Sequence, residues 1–134
     1  MKAIILDTHA LVWWVDNSTK LSLPHRRTIQ KAADSGHLWV SEITFWEIGS
    51  LVERQKLRLS IPIEEWLERA AAAPLVQRCS ISPAIVAEMT RLSSTYDWDP
   101  ADRLIVATAR VLAARVATAD SRMIDSKLVD VIAL

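Results

Sequence analysis

Short apolar runs rich in β-branched residues alternate along the chain with longer segments whose apolar residues recur at helical spacing. This alternation is typical of βαβ units, in which helices connect the parallel strands of one sheet. It predicts strands at residues 3–7, 38–41, 76–81 and 115–118, with an edge strand at 129–134. It predicts helices at residues 8–15, 21–35, 41–52, 63–73, 103–114 and 121–126, and another that begins at Ser82. We therefore expect an α/β fold around a mostly parallel sheet of four or five strands.

Capping residues mark the start of two predicted helices that matter for function. Ser41 is expected to cap the helix that carries Glu47. Asp99 and Pro100 precede the clearest helix, at residues 103–114, and this pairing is typical of helix starts. Asp102 is thereby placed in the first turn of that helix.

Composition restricts the class of protein. The chain has 134 residues, of which 51% are hydrophobic and 24% charged, so we expect one domain over residues 1–134. Its apolar stretches are much shorter than the ~20 residues that span a bilayer. The N-terminal residues lack the apolar core and cleavage site of a signal peptide. Cytoplasm is the expected location, and the single cysteine, Cys79, agrees with it because one cysteine forms no intrachain disulfide.

The formal net charge is zero, with 16 Lys and Arg against 16 Asp and Glu. A basic nucleic-acid-binding module with a pI above about 9 is therefore excluded. The balance changes if several acids are gathered into one metal site, because the remaining surface then carries more basic than acidic residues. Such a surface is able to attract a phosphate backbone.

Acidic residues stand where predicted strands end or the following helices begin. Asp7 ends the first strand, Asp120 follows the fourth, and Asp102 lies in the first turn of the helix at 103–114. Ligands of open α/β sheets bind outside the carboxyl ends of the strands, so these three side chains are expected to converge. Glu47 comes from an otherwise apolar helix and reaches the same edge, in a setting where an unpaired acid is unusual.

Carboxylates gathered in one pocket raise one another's pKa unless a cation neutralises them. Carboxylate oxygens select hard divalent ions, so this cluster implies Mg²⁺ or Mn²⁺, with one or two ions per subunit. Such ions activate water and polarise phosphoryl oxygens, which favours phosphodiester hydrolysis. Ordinary structural roles stay open for single residues: Asp7 and Asp120 as helix caps, and Asp102 as a partner of the helix dipole.

Four segments carry a resemblance to a known family. They are residues 5–14, 41–48, 99–109 and 118–120, with the sequences ILDTHALVWW, SEITFWEI, DPADRLIVATA and TAD. In order and spacing they resemble the PIN-domain ribonucleases, and specifically the VapC-like toxins of type II toxin-antitoxin modules. The resemblance covers essentially the whole chain. It implies a PIN-like three-layer α/β/α sandwich and metal-dependent endoribonuclease activity.

The resemblance implies a set of catalytic and metal-binding acids, namely Asp7, Glu47, Asp102 and Asp120. The first three are expected nearest the metal, and Asp120 at a second ion or its waters. Thr8 and Thr118 are expected to hold these carboxylates through their hydroxyls, with local capping as an equal alternative. Asp99 is expected to cap its helix and support the acids, with a place among the acids themselves as the alternative.

Substrate and partners follow from the same resemblance, which implies single-stranded or loop RNA and an antitoxin, in a homodimer or a toxin-antitoxin hetero-oligomer. Arg103 and Arg122 are close enough in sequence to the acids to contact phosphates, with surface salt bridges as the alternative. Trp13, Trp14 and Trp46 are candidates for a groove that binds an amphipathic segment of the antitoxin, with core packing as the alternative.

Two other classes of protein compete with this interpretation. A phospho-acceptor domain of the receiver or haloacid-dehalogenase-like type also places acids at strand ends. It requires an acidic pair or an Asp-x-Asp motif, whereas Asp7 is followed here by Thr8 and His9. A PIN fold that binds RNA or a protein without catalysis is the other alternative, and the presence of all four acids argues against it. Ala119 departs from the family pattern, in which Asn or Arg often precedes the fourth acid.

Overall fold

The computed structural model describes residues 1–72, 76–92 and 99–134. The strands are β1 (Ile4–Leu6), β2 (Leu38–Ser41), β3 (Gln77–Cys79), β4 (Arg115–Thr118) and β5 (Val131–Ala133). The helices are α1 (Thr8–Val15), α2 (Leu23–Asp34), α3 (Ile43–Glu53), α4 (Ile63–Ala72), α5 (Pro83–Thr90), α6 (Pro100–Leu112) and α7 (Ser121–Ser126). None of the helices in these ranges is both long and apolar enough to cross a membrane.

The five strands form one parallel sheet in the order β3-β2-β1-β4-β5. The predicted α/β class and the parallel sheet are therefore confirmed, and the edge strand near the C-terminus is real. The chain builds outward from β1 to β3 and then returns to the other side of β1 with β4. A topological switch point thus lies between β1 and β4, where open α/β sheets bind their ligands.

Alternate residues of β1 face opposite layers of the structure, as the two-residue period of a strand requires. Ile4 and Leu6 pack in a core with buried residues of α1, α2, α3 and α4, including the fully buried Trp66. Ile5 packs in a second core with residues of α6 and with Met123 of α7. The sheet is therefore covered by helices on both faces, which gives the predicted three-layer α/β/α arrangement.

Several predicted boundaries are corrected by the structure. Ser41 does not cap α3: Glu42 occupies that position, and the Ser41 hydroxyl accepts the Ile43 N–H instead, at 3.2 Å. Helix α6 begins three residues before the predicted 103 because the Asp99 side chain caps it, and it ends before Ala113, whose φ of 52° is left-handed. Strands β1, β3 and β5 are shorter than predicted, because only residues 4–6, 77–79 and 131–133 pair with a neighbouring strand.

Other sequence expectations fall partly outside the described residues. The last residue of the helix predicted at 63–73 lies there, and so does Pro74, which is expected to close that helix. The helix that begins at Ser82 is expected to end near residues 93–95, which also lie there. The loop at 96–98 also lies outside. For the described part, α5 begins where the sequence predicts, and Ser82 caps it by accepting the Ile85 N–H.

Trp66 joins α4 to the end of α1. Its side chain is 1% exposed and packs in the core beneath β1 and β2. Its indole Nε1 donates a hydrogen bond to Asp16 Oδ1 at 2.7 Å, so the one polar atom of the ring is paired. A buried tryptophan with a satisfied N–H combines a large apolar contact with a fixed orientation.

We expect Trp66→Ala to lower the free energy of unfolding by about 3–5 kcal/mol, because it leaves a large cavity and an unpaired Asp16 carboxylate. Urea unfolding followed by circular dichroism measures this. Trp46→Ala is the matched control, since Trp46 is 61% exposed and its loss is expected to change stability by less than about 0.5 kcal/mol. Equal effects of the two substitutions would contradict this description of the core.

Candidate active site

Asp7 links the central strand to the first helix. It follows β1 directly, and its Oδ1 caps α1 by accepting the Ala10 N–H at 2.9 Å. The side chain is only 7% exposed. Its capping bond fixes the orientation of the carboxylate at the carboxyl end of β1, so the predicted capping role and a place in the site are both realised.

Asp99 and Asp102 are brought together by the start of α6. Asp99 Oδ1 accepts the N–H of Ala101 at 2.7 Å and that of Asp102 at 3.3 Å. Helices commonly begin with such a cap because the first N–H groups have no partner within the helix. The cap places two negative side chains on the same short turn, facing the carboxyl edge of the sheet.

Glu47 supplies a buried acid from α3. The side chain is 7% exposed, and its Oε2 has no hydrogen-bond partner among the residues that the structure describes. The Thr8 hydroxyl, 2% exposed, is buried beside this carboxylate. Buried polar atoms normally find partners because leaving one unpaired costs roughly 1–3 kcal/mol. Among the described residues nothing satisfies Glu47 Oε2, so this oxygen suits a bound cation as its partner.

Three of the acids meet the geometric requirement for a shared cation. One carboxylate oxygen from each of Glu47, Asp99 and Asp102 lies within 4.8 Å of the other two. A donor set made only of carboxylate oxygens fits a hard divalent ion such as Mg²⁺ or Mn²⁺. The unpaired Oε2 of Glu47 strengthens the fit, because a cation at this position would give it a partner. Asp99, which the sequence assigned a supporting role, belongs to this cluster.

Burial and mutual repulsion shift the protonation of these acids. Burial, and then the neighbouring charges of Asp99 and Glu47, raise the pKa of Asp102 from 3.8 to about 7. Burial also raises the pKa of Asp7, against the opposing effects of the Thr118 hydroxyl and the Ala10 N–H. The pKa of Glu47 is raised by burial and by the charges of Asp99 and Asp7, while Thr8 acts in the opposite direction. The site thus disfavours full ionisation without a cation.

Asp120 lies at the end of β4 and combines two roles. It caps α7 by accepting the Arg122 N–H at 2.9 Å. The Thr118 hydroxyl in turn accepts the Asp120 N–H at 3.0 Å, which fixes the turn between β4 and α7. The Arg122 guanidinium lies 3.4 Å from the Asp120 carboxylate and 3.7 Å from that of Asp102. An arginine therefore bridges the two acids on the β4 side of the site.

All these side chains border one cavity of about 390 Å³. The described residues that line it are Asp7, Thr8, His9, Trp13, Glu47, Leu51, Asp99, Asp102, Ala119, Asp120 and Arg122. The four predicted acids are thus brought together, with Asp99 and Arg122. Thr118 stays beneath the rim, fully buried, where it bonds to the backbone. Arg103 is not among the described lining residues: its guanidinium donates to the Met89 carbonyl at 3.4 Å.

The three predicted groove tryptophans are in different environments. Trp13 is half-buried and lines the acidic cavity, which the sequence did not indicate. Trp14 packs partly against the first core, and the Arg26 guanidinium lies 5.8 Å above its ring. Trp46 is 61% exposed on α3. His9 and Leu51 also line the cavity and were missed. The sequence offers one signal for His9: it lies two residues after Asp7 and about one helical turn before Trp13.

The fold and the cavity define a class: α/β proteins with a carboxylate centre at the carboxyl edge of a parallel sheet. The sequence matches the PIN domain family over residues 4–127. It is 34% identical to Ribonuclease VapC22 of Mycobacterium tuberculosis over 123 residues, which are 92% of this chain and 91% of that protein. The chain therefore belongs to the PIN domain family.

Solved structures agree on the fold. A chain of the VapBC2 complex of Rickettsia felis, bound to promoter DNA, matches with a TM-score of 0.73 at 13% identity and 98% coverage of each chain. A chain of FitAcB from Neisseria gonorrhoeae matches with a TM-score of 0.61 at 22% identity and 96% coverage of each. Family membership also rules out the receiver and haloacid-dehalogenase-like alternatives.

The raised pKa of Asp102 gives the metal-free protein a distinctive pH dependence. The folded state holds this proton up to about pH 7, whereas the unfolded chain releases it near pH 3.8. The contribution of Asp102 to the free energy of unfolding is therefore full below about pH 3.8 and is lost progressively as the pH rises to about 7. Between about pH 5 and pH 8 we expect the free energy of unfolding to fall less in the Asp102→Asn variant than in the wild type. Urea unfolding in EDTA measures this.

The control for this pH experiment is Asp34→Asn, because Asp34 is exposed on α2 and lies outside the cavity. It should follow the wild-type pH profile. If the Asp102→Asn variant lost as much stability with rising pH as the wild type does, Asp102 would not be the proton-binding group.

Proposed function

We propose that this chain is a metal-dependent endoribonuclease and the toxin of a toxin-antitoxin module. The observation that carries the proposal is the cluster of Glu47, Asp99 and Asp102, in which the buried Oε2 of Glu47 has no partner among the described residues. The relationship to Ribonuclease VapC22 supports RNA as the substrate. The toxin role is supported by the likeness to chains of VapBC complexes.

Mg²⁺ or Mn²⁺ is the proposed cofactor, held by Glu47, Asp99 and Asp102. When bound, one or two such ions supply water activation and stabilisation of phosphoryl charge. Asp7 and Asp120 complete the acidic set on either side, and both are fixed by the backbone N–H groups that they accept. This departs from the expected quartet in two respects: Asp99 is added to the ligands, and Asp7, which was expected among the acids nearest the metal, lies beside them instead.

Protein side chains supply the remaining functions of the proposed site. Arg122 is 56% exposed at its side chain and lies against Asp102 and Asp120, which supports the proposal that its guanidinium binds a phosphate oxygen of the RNA. Thr118 orients the turn that carries Asp120. Arg103 is better assigned to the packing of α6 against α5 than to the substrate.

The proposed partners are RNA and an antitoxin protein in the cytoplasm, with a homodimer or a hetero-oligomer as the assembly. Of the candidate groove residues, Trp46 is the one most available to an antitoxin because it is 61% exposed. Trp14 is half-buried and contacts the core, so it offers less exposed area to an antitoxin.

Cleavage of cellular RNA tests the proposal. Purified protein and its Glu47→Gln variant are incubated with total RNA in Mg²⁺, Mn²⁺ or EDTA, and the cut ends are mapped by sequencing. We expect discrete metal-dependent cuts that fall by at least about a hundredfold in the variant. No cutting by the metal-loaded wild type, free of antitoxin, would favour the alternative of a PIN module that binds RNA or a partner without catalysis.

The place of Asp99 among the ligands is tested by a pair of isosteric substitutions. Asn caps helices as well as Asp does, so Asp99→Asn and Asp120→Asn should each keep their helix while losing a charge. We expect Asp99→Asn to weaken Mn²⁺ binding by at least roughly tenfold, and Asp120→Asn to weaken it less. Isothermal titration with Mn²⁺ gives the affinities, and urea unfolding in EDTA checks the caps. Unchanged Mn²⁺ affinity in Asp99→Asn would restore a purely capping role.

A further inference from the structure

His9 and Trp13 form an aromatic wall on one side of the acidic cavity. They are four residues apart on α1, so they lie on the same face of the helix. Both line the cavity that contains the carboxylates. Their ring centroids are 6.3 Å apart, and their planes are inclined at 52°. The two rings therefore do not stack face to face on each other.

The aromatic wall is anchored at one end and open at the other. Trp13 is half-buried and packs against the first core, which restricts its rotation. His9 is exposed. The helix start is itself fixed by the Asp7 cap, so the wall and the first acid belong to one rigid segment. Such a wall keeps a constant position relative to the carboxylates.

Metal ions and phosphate groups are bound by charged and polar side chains. They do not explain why aromatic and aliphatic side chains also line the cavity. Here the aromatic wall and the apolar Leu51 face the same cavity as the acids and Arg122. Its volume of about 390 Å³ lies within the ~300–1,000 Å³ of typical ligand clefts. A nucleotide has this mixed chemistry, because its phosphate is anionic while its base has flat, apolar faces that stack on aromatic rings.

We propose that the aromatic wall stacks a nucleobase of single-stranded RNA next to the phosphate that is cut. The proposal rests on the proposed function and names a base-binding subsite for it. Bases in an A-form duplex are stacked on one another and cannot reach such a wall, whereas those of loops and single strands can be splayed out. Stacking accepts every base, so the wall favours unpaired RNA without selecting one sequence.

Binding of an RNA homopolymer measures the contribution of the aromatic wall, because the same base reaches the site wherever along the RNA the protein binds. The probe is a fluorescein-labelled RNA of twelve uridines, compared with the same backbone made fully abasic. Affinities are measured by anisotropy in Mg²⁺, with Asp102→Asn as the parent so that no cutting occurs. We expect Trp13→Ala in this parent to weaken uridine RNA by roughly 5- to 150-fold and abasic RNA by little. Trp13→Phe, which keeps a ring, should retain most of the affinity.

Matched substitutions separate stacking from folding. Trp46→Ala removes a tryptophan that does not line the cavity and should leave both affinities unchanged. Because Trp13 contacts the core, each variant is checked by urea unfolding. His9→Ala, at an exposed position, provides a second variant, and we expect it to give a smaller loss with uridine RNA only.

The assignment is overturned if Trp13→Ala weakens both RNAs equally, if it has no more effect than Trp46→Ala, or if the parent binds neither RNA. In that case the wall serves another ligand, such as a peptide of the antitoxin. These experiments distinguish a failure of the aromatic-wall proposal from a failure of the proposed ribonuclease activity. Cleavage without a base-dependent role of Trp13 rejects only the wall, and base-dependent binding without cleavage by the wild type rejects only the catalysis.

Discussion

Repulsion among carboxylates is the constraint around which this protein is organised. The parallel sheet directs the ends of β1 and β4 to one edge, and α3 and α6 add their acids at the same place. Burial is the first cause of the raised pKa of Asp102, and the charges of Asp99 and Glu47 raise it further. Such a cluster lowers the stability of the metal-free fold unless its charges are compensated. Arg122 compensates Asp120 and, in part, Asp102, and we propose that a divalent ion compensates the cluster of Glu47, Asp99 and Asp102.

Helix capping connects the fold to the chemistry. Asp7, Asp99 and Asp120 are the caps of α1, α6 and α7. In each case the backbone N–H groups that need an acceptor hold the carboxylate in place, so the local requirement for a cap also orients an acid. The caps start helices at the carboxyl edge of the sheet, and the fold thereby concentrates negative charge in one cavity.

Residues at strand ends and helix starts could be predicted from the sequence, whereas the orientation of residues within helices could not. Asp7, Asp102 and Asp120 could be found because strand ends and helix starts are visible in the pattern, and Glu47 because its neighbours are apolar. Asp99 was expected mainly as a helix cap, because a cap alone accounts for an acid before Pro100, and its closeness to Glu47 depends on tertiary packing. Adjacent helical residues diverge by roughly 100°, so the pattern could not tell which of Trp13 and Trp14 faces the cavity. Whether Arg103 or Arg122 contacts the acids was equally undetermined, since each lies within two residues of one.

The most direct test of the account is the position of the ion itself. Crystals of the protein soaked in Mn²⁺ and measured at a wavelength with strong manganese anomalous scattering would locate it. We expect an anomalous peak coordinated by oxygens of Glu47, Asp99 and Asp102. A peak elsewhere, or none at saturating Mn²⁺ with the three carboxylates still adjacent, would contradict it.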